Sequence, residues 1–314
     1  MILLIQYTLI FASVLLLVAL GGCFSERSGV INIGLEGIMV IGALGGALVM
    51  KFMPVSVGAP VMILTTIAAS VVAGIIYSLL LAFPAVTLNA DQTITGTAMN
   101  LLATAASTVA VKAMNTAASN GNDVSSDIIF IDAKKLFLVK LGSFEFNWFM
   151  LVAVIALVAS AIVLYKTRFG LRLRACGEHP QAADSVGINV YKMRYAGVMI
   201  SGALGGLGGI VFITAGVSLW KFEYGVAGFG FLALAVMIFG AWNPVKIALA
   251  AILFGFFRAL GNVYSGFDWL AALQIPSVVY NMLPYIVCLI VLAFTSKNSK
   301  APKAEGIPYD KGQR

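Results

Sequence analysis

The sequence has few charged residues for its length. Asp, Glu, Lys and Arg together make up 11% of the 314 residues, whereas an ordinary soluble domain contains about 25%. Hydrophobic residues make up 61% of the chain, and its mean hydropathy is +0.99. Because large contiguous apolar patches are rare on soluble proteins, this composition excludes a soluble globular protein and predicts an integral membrane protein.

The side chains that bind metals or form disulfides are also scarce. The three cysteines, Cys23, Cys176 and Cys288, lie far apart and form no C-x-x-C pair, which argues against a disulfide framework or a zinc site. His179 is the only histidine, so an H-E-x-x-H motif is excluded. The pattern G-x-x-x-x-G-K-[ST] does not occur, and the chain therefore has no P-loop of its own. We expect no enzymatic site, no metal and no cofactor.

Long apolar runs occupy most of the chain. The runs are continuous rather than alternating, which excludes the strand pattern of a membrane β-barrel, and a bilayer core takes about 20 apolar residues per helix. We therefore predict an all-α, polytopic integral membrane protein. Its transmembrane helices, about nine in number, are expected at residues 4–23, 33–52, 59–83, 93–113, 147–165, 195–216, 226–242, 245–262 and 277–295.

Lysine and arginine residues indicate the orientation of these spans. Loop 166–194 contains six and segment 296–314 contains five of the twenty cations, so the positive-inside rule places both in the cytoplasm. Loop 114–146, with three Lys and four acidic residues, and the N-terminus then lie outside. We predict a membrane domain over residues 1–295 and a basic, disordered cytoplasmic tail over residues 296–314. The net charge of +7 fits this bias, and no nucleic-acid binding is expected.

A polar, glycine-rich segment interrupts the apolar pattern at residues 25–37 (SERSGVINIGLEG). It places Asn32 and Glu36 at or near membrane depth, where irregular backbone is tolerated only if it is buried or lines a water-filled cavity. Transporters form substrate sites at such broken helices, and an intramembrane carboxylate is by default a functional candidate. We predict a broken or re-entrant segment here. The alternative is a short cytoplasmic turn in which Glu36 snorkels or caps the next helix.

A second polar segment precedes the fourth span. Asn89 and Asp91 are suited to capping the N-terminus of that helix. Asn100 lies deeper, about two turns into the helix. There the residue type alone does not separate a polar pathway lining from a structural role.

Three further patterns have structural interpretations. Small residues at 42–46 and 202–209 predict helices in close contact. Residues 228–233 match a dinucleotide-binding pattern, but they lie in an apolar run with no strand before them, so the match is attributed to chance. Arg258 and Asp268, near the outer end of the eighth span, are expected to snorkel or to form an ion pair.

Loop 166–194 contains a predicted short helix over residues 180–186. Pro180 is suited to a first helical turn, and Gly187 is suited to ending the helix. A short helix between basic flanks on the cytoplasmic side fits the docking of a soluble partner. The alternative is an ordinary positively charged loop, and the residues alone do not separate the two.

Four motifs spread over nearly the whole chain point to one family. They are residues 27–39 (RSGVINIGLEGIM) with Gly42-Ala43 after them, 174–183 (RACGEHPQAA), 228–235 (GFGFLALA) with Asn243-Pro244 after them, and 306–309 (GIPY). The sequence resembles the permease subunits of ATP-binding cassette (ABC) importers, in the branch that serves branched-chain amino acids, ribose-type sugars and nucleosides. The N-x-G-x-E-G core of the first motif is similar to the nucleoside (purine and pyrimidine) uptake subgroup. The segment before the fourth span departs from that subgroup, since residues 89–92 read NADQ where Asn-Glu is usual.

The resemblance implies a division of labour among separate proteins at a bacterial plasma (inner) membrane. A cytoplasmic ATPase binds and hydrolyses ATP, an extracytoplasmic lipoprotein presents the small-molecule substrate, and two permeases form the path through the lipid bilayer. This chain is expected to be one of those permeases. Residues 170–188 match the family's coupling segment, which favours ATPase docking for the loop. The expected coupling residues are Arg172, Arg174, Gly177, Glu178, His179, Pro180, Ala182 and Ala183.

The function implied is an ATP-driven nucleoside importer that works by alternating access. As candidates for the substrate path, Asn32, Glu36 and Asn100 offer hydrogen bonds to ribose hydroxyls or base edges. Phe229 and Phe231 offer stacking surfaces. Two alternatives stay open: an ABC permease for a sugar or a branched-chain amino acid, and an ion-coupled secondary transporter in which Glu36 binds a proton or cation.

Overall fold

The computed structural model describes residues 2–130, 135–142, 144–216, 219–267, 274–295 and 301–312. Helices dominate this part of the chain. The described residues contain the α-helices α1 (Ile2–Arg27), α2 (Leu35–Phe52), α3 (Ala59–Ala82), α4 (Gln92–Ala118), α5 (Trp148–Lys166), α6 (Arg168–Glu178), α7 (Pro180–Ser185), α8 (Val190–Gly216), α9 (Phe229–Phe239), α10 (Pro244–Val263) and α11 (Ser277–Thr295).

Most of these helices suit a bilayer. Among the described residues, eight candidate spans are long and apolar enough to cross a membrane, and Val278–Ile290 adds a shorter apolar helix. Large apolar side chains such as Leu64 and Leu101 are exposed on the outer helices α3 and α4, as expected for surfaces in contact with lipid tails. The prediction of an all-α, polytopic membrane protein is confirmed.

Helices α1 and α8 form the centre of the bundle. Every residue of α1 from Ile10 to Glu26 is buried, which is typical of a helix surrounded by other helices. Helix α8 packs against α1, α2 and α3. Glycine makes this packing possible: a Cβ at Gly42 would lie 2.2 Å from Gly206 Cα, and a Cβ at Gly209 would lie 1.9 Å from Met39 O. The close helix contacts predicted for residues 42–46 and 202–209 are confirmed.

Short strands occur only in the loops of the described part of the chain. Strand β1 (Asp127–Ile129) pairs antiparallel with β4 (Leu219–Lys221), and Ile128 faces Trp220. Strand β2 (Leu138–Leu141) pairs antiparallel with β3 (Phe144–Asn147). The first pair connects the loop after α4 to the loop after α8.

The chain between α1 and α2 is not helical, as expected for either the predicted broken segment or a short turn. Residues 28–34 form turns and irregular backbone. The turn begins where Val30 N donates to Ser25 O at 3.2 Å, and Gly29 has a φ of +96°, a value that favours glycine.

The apolar run at 226–242, expected to be one plain span, overlaps the candidate span Phe222–Phe239, but only part of that span is α-helix. Helix α9 has 11 residues, so it is about 16 Å long at 1.5 Å per residue, whereas a bilayer core is about 30 Å thick. Gly225, Ala227 and Gly228 have positive φ angles of 57°, 55° and 79°, so the chain turns sharply before α9. These residues are as apolar as the helix itself, and hydropathy alone therefore does not reveal the turn.

The C-terminal residues 301–312 fold back onto the end of the bundle that carries α6 and α7. Ala304 N donates to Gly177 O at 2.9 Å, and the side chains of Ala304 and Tyr309 are buried. This packing differs from the disorder that the composition of segment 296–314 predicts. It depends on backbone hydrogen bonds and on one aromatic side chain, which a count of charged, Pro and Gly residues does not register.

Candidate functional site

Asn32, in the middle of the break, lies deep in the bundle. Its side chain is fully buried, and Nδ2 donates to Ser201 Oγ at 2.9 Å. Ser201 lies in α8, about 16 Å along the helix from Val190 at 1.5 Å per residue. The break therefore reaches well beyond the α6–α7 end of the bundle, which favours the broken-helix interpretation over a short cytoplasmic turn.

Glu36, in the first turn of α2, caps the N-terminus of a different helix. Gly228 N donates to Glu36 Oε1 at 2.8 Å, and Gly230 N donates to Oε2 at 2.7 Å. These amides begin α9, whose N-terminal end carries partial positive charge and free N–H groups. A Cβ at Gly230 would lie 2.5 Å from the Glu36 backbone, so glycine allows the carboxylate to approach. The carboxylate thereby stabilises a helix that starts inside the bundle.

Asn100, in α4, caps the start of α2. Its Oδ1 accepts from Gly37 N at 2.8 Å, and its Nδ2 donates to Ile33 O at 3.0 Å. The residue that precedes α2 is Gly34, which has no side chain to provide such a cap. Asn100 therefore supplies from a neighbouring helix the acceptor that α2 lacks.

We call Asn32, Glu36 and Asn100 the break cluster, because all three stabilise the chain around residues 28–37. Each is at least nine-tenths buried. Five of their six side-chain nitrogen and oxygen atoms are hydrogen-bonded to the protein, and the sixth, Asn32 Oδ1, is buried without a partner. The structure thus brings the three polar path candidates close together and gives each a structural role.

The two aromatic candidates have different surroundings. Phe229 is 1% exposed, and its ring lies between the rings of Phe11 (5.7 Å between centroids) and Phe212 (4.5 Å). Phe231 is 49% exposed. It lines a cavity of about 210 Å³ together with Tyr285 of α11 and four apolar or sulfur-containing neighbours. In this conformation Phe231 offers a free aromatic face and Phe229 does not.

Arg258, in α10, is a polar residue of the site that the sequence analysis assigned to snorkelling or an ion pair. Its guanidinium carbon lies 5.5 Å from the Phe229 ring centroid and 5.7 Å from that of Phe11, within the range of cation–π attraction. Its Nη1 donates to Asn281 Oδ1 at 2.6 Å. Asp268, the expected alternative partner, lies outside the described residues. An arginine and an asparagine in two successive apolar runs are the signal that points to this pair.

The predicted short helix in loop 166–194 is confirmed. Helix α7 covers Pro180–Ser185 with Pro180 in its first turn, and Gly187 follows with a φ of +82°. Helix α6 precedes it, capped by Thr167 Oγ1, which accepts from Gly170 N at 3.1 Å. His179 separates the two helices.

The coupling candidates divide into a packed set and an exposed set. Gly177, Pro180 and Ala183 are buried, and Glu178 and Arg174 are partly buried. The guanidinium carbon of Arg174 lies 4.8 Å from the centroid of the Tyr165 ring. The exposed members, which are free to meet another protein, are Arg172, His179 and Ala182.

Gly177 connects the coupling candidates directly to the break. A Cβ at Gly177 would lie 2.3 Å from Arg27 O and 3.3 Å from Gly29 N, so the two backbones are in contact. Glu178 Oε1 lies 3.7 Å from Arg27 Nη1. The neighbouring Cys176 is enclosed, and burial raises the pKa of its thiol to about 11. A displacement of α6 and α7 would therefore act on residues 27–29 without an intervening layer.

Comparison with known proteins identifies the family of the chain. The family model described as branched-chain amino acid transport system / permease component matches residues 4–292. The chain is 41% identical to the guanosine ABC transporter permease protein NupQ of Bacillus subtilis, over 98% of this chain and 96% of that protein. It is 38% identical to the nucleoside ABC transporter permease protein NupC of Lactococcus lactis (97% and 96% covered) and 26% identical to NupB of the same organism (96% and 83% covered). The chain belongs to this permease family and is a membrane-spanning permease subunit of an ABC transporter.

Proposed function

We propose that this chain imports nucleosides, as one of two permeases of an ATP-driven transporter in a bacterial plasma membrane. The observation that carries the proposal is the near full-length similarity, at 41% and 38% identity, to permeases named for guanosine and for nucleosides. Similarity to both NupC and NupB of Lactococcus lactis supports a pair of non-identical permeases.

The other subunits supply what this chain lacks. The sequence has no P-loop, so ATP is bound by a separate cytoplasmic ATPase. An extracytoplasmic lipoprotein presents the nucleoside on the opposite side. Loop 166–194 and the C-terminus face the ATPase, in accord with their eleven cations and the positive-inside rule.

ATP drives transport through a series of direct contacts that leads from the ATPase to α9. The ATPase moves α7, and Gly177 transmits the displacement to residues 27–29. The break then carries it to Glu36, whose carboxylate holds the first amides of α9. Close-packed interiors transmit strain rather than absorb it. Helix α9 consequently shifts relative to α10 and α11, and the two ends of the path open alternately because each state makes different contacts with ATPase and substrate.

The substrate meets the path beside α9. Phe231 and Tyr285 line a cavity there, and an aromatic face suits stacking with a purine or pyrimidine base. Asn32, whose Oδ1 has no partner within the described protein, contributes a hydrogen-bonding group to the substrate when the helices separate. Glu36 and Asn100, the other members of the break cluster, hold α9 and α2 in place.

Uptake measurements test the proposed substrate. The chain is expressed with its ATPase, second permease and lipoprotein in cells without other nucleoside uptake, and import of labelled guanosine is measured. We expect unlabelled nucleosides to compete, and ribose, glucose and leucine not to compete. We also expect uptake to stop on ATP depletion and to survive an uncoupler while ATP is maintained.

Other outcomes identify the alternatives. Competition by a sugar or by leucine, with no effect of nucleosides, would assign a different substrate to the same kind of permease. Uptake that survives ATP depletion and collapses with the uncoupler would indicate an ion-coupled transporter and overturn the proposal.

A further inference from the structure

The C-terminal residues 302–309, which we call the strap, are fastened to two functional parts of the molecule. Ala304 N donates to Gly177 O at 2.9 Å, and Gly306 N donates to Gly29 O at 3.2 Å. The strap thus bonds to α6 and to the first residues of the break. A third bond comes from α8, where Arg194 Nη1 donates to Ile307 O at 3.0 Å.

Some side chains of the strap are buried and anchor it to the bundle, whereas others are exposed at the surface. Ala304 and Tyr309 are buried, and the Tyr309 ring packs edge-on against Tyr191 with centroids 5.4 Å apart. Ile307 is 53% exposed, and Lys303 is also exposed. The backbone bonds therefore hold one apolar and one cationic side chain in fixed positions at the surface.

These two side chains form one wall of a groove whose other wall is the α6–α7 turn. The groove encloses about 200 Å³. Its lining residues include Glu178, His179, Pro180, Gln181, Lys303 and Ile307. The strap wall and the coupling wall therefore form a single concave surface.

Several features of the groove point to a protein partner on the coupling side. Ile307 lines the groove together with Glu178, His179 and Lys303, so its exposed apolar side chain lies among charged and polar groups. The groove is continuous with α7, which docks the ATPase in the proposed function. Loop 166–194 and segment 296–314 carry a high share of the cations, so the complementary partner surface is acidic around an apolar side chain.

We infer that the strap and the α6–α7 turn together form one docking surface for the ATPase, with Ile307 and Lys303 as contacts contributed by the strap. The inference rests on the proposed function, in which α7 docks the ATPase and the C-terminus faces it without an assigned contact. The occupant of the groove is an apolar side chain of the ATPase flanked by carboxylates. The strap thereby couples ATPase binding to Gly177 and Gly29 at the same time.

A binding experiment with the full transporter tests the inference. Variants Ile307→Asp and Lys303→Glu alter only exposed side chains, because the strap bonds involve backbone atoms at residues 304, 306 and 307. We expect each to reduce ATPase affinity about tenfold, the change that about 1.4 kcal/mol produces. Lys311→Glu is the matched control, since Lys311 is exposed in the same segment outside the groove lining, and it should leave the affinity within about twofold.

A reference variant in α7 separates failure of the inference from failure of the proposed function. Ala182→Asp alters an exposed residue of α7 and should release the ATPase if α7 docks it. If Ala182→Asp weakens binding but Ile307→Asp and Lys303→Glu do not, the strap inference is wrong and the proposed coupling stands. If none of the three weakens binding, the proposed coupling segment is wrong as well.

Photo-crosslinking provides a measurement that does not depend on affinity. A benzophenone amino acid at position 307 should crosslink to the ATPase subunit, and the same group at position 311 should crosslink much less. Crosslinks from position 307 to lipid or to the permease itself, with none to the ATPase, would overturn the inference.

Discussion

At the residue scale, the polar side chains of the bundle hold helices that begin inside it. Glu36 binds amides at the start of α9, and Asn100 binds the amide of Gly37 in the first turn of α2. Buried N–H groups without partners are costly in a membrane, where water does not replace them. These side chains are therefore required for the fold, whatever contact they make with substrate.

The variant Glu36→Gln separates a role of Glu36 in the fold from a role in binding the substrate. A glutamine has one acceptor oxygen where the carboxylate has two, so one of the two α9 amides loses its partner, at a cost of roughly 1–3 kcal/mol. We expect a lower thermal stability of the purified transporter and a lower maximal uptake rate with an unchanged KM. The control is Asp91→Asn, because Asp91 caps the exposed start of α4 and Asn caps as well as Asp. A raised KM with unchanged stability would instead place Glu36 in contact with the substrate.

Glu305 of the strap gives a pH-dependent prediction. Burial raises the pKa of this carboxyl and outweighs the positive charge of nearby Arg27, which lowers it. A raised pKa means that the docked strap binds the proton more tightly than the free strap. The stabilisation is therefore complete below the ordinary Glu pKa and is lost as the pH rises through the raised value.

Hydrogen exchange of strap amides measures this effect in the full-length protein. Protection at residues 304 and 306 should fall as the pH rises above the usual Glu range, after correction for intrinsic exchange. Glu305→Gln cannot ionise and should give protection that does not change with pH. Equal pH dependence in the variant would show that another group is responsible.

At the element scale, the coupling helices and the break are in backbone contact. Gly177 is the point of contact, since a Cβ there would lie 2.3 Å from Arg27 O. The atoms that a Cβ at Gly177 would meet belong to the backbone, so no flexible side chain can move aside to make room for it. The separation between α6 and the break is therefore set by the absence of a side chain at residue 177.

The variant Gly177→Ala should partly uncouple the two elements. Overpacking at such a contact costs roughly 1–3 kcal/mol, and relief requires α6 to move away from residues 27–29. We expect ATPase binding to persist while substrate import per ATP hydrolysed falls several-fold. Gly266→Ala is the control, because its Cβ would meet only Val263 at 3.9 Å. Unchanged import per ATP in Gly177→Ala would exclude this contact from transmission.

The break illustrates which features local sequence patterns predict and which they do not. Its position and polar character are visible because polar, glycine-rich residues stand out in an apolar chain. The partners of Glu36 are not visible, since Gly228 lies 192 residues further along. The short length of α9 and the placement of Arg258 against two phenylalanine rings are missed for the same reason. Each depends on which distant segments pack together, and hydropathy carries no such information.

At the scale of the whole molecule, the bundle has two ends of different character. One end carries α6, α7 and the strap, and the other carries the β1–β4 pair. In that pair, Lys221 Nζ lies 4.0 Å from Asp127 Oδ2. The charge distribution predicts that the first end faces the cytoplasm.

Cysteine labelling in intact cells checks this orientation. Asn122 and Gln181 are exposed at opposite ends of the bundle, so single cysteines placed there report on the two sides. In a background lacking Cys288, Asn122→Cys should react with a membrane-impermeant maleimide directly, and Gln181→Cys should react only after permeabilisation. Cys23 and Cys176 are buried and should remain unlabelled. The reverse pattern would invert the predicted topology.

The short α9 has a consequence for biogenesis. Helix α9 by itself has 11 residues, fewer than the about 20 that a plain helical span takes, and it lies within the longer apolar segment Phe222–Phe239. Its first amides find their acceptor on a segment synthesised 192 residues earlier. The amides that begin α9 therefore have their acceptor only if α2 is already in place when α9 is inserted. A nascent chain that lacks residues 1–52 should fail at this step even though all of α9 is present.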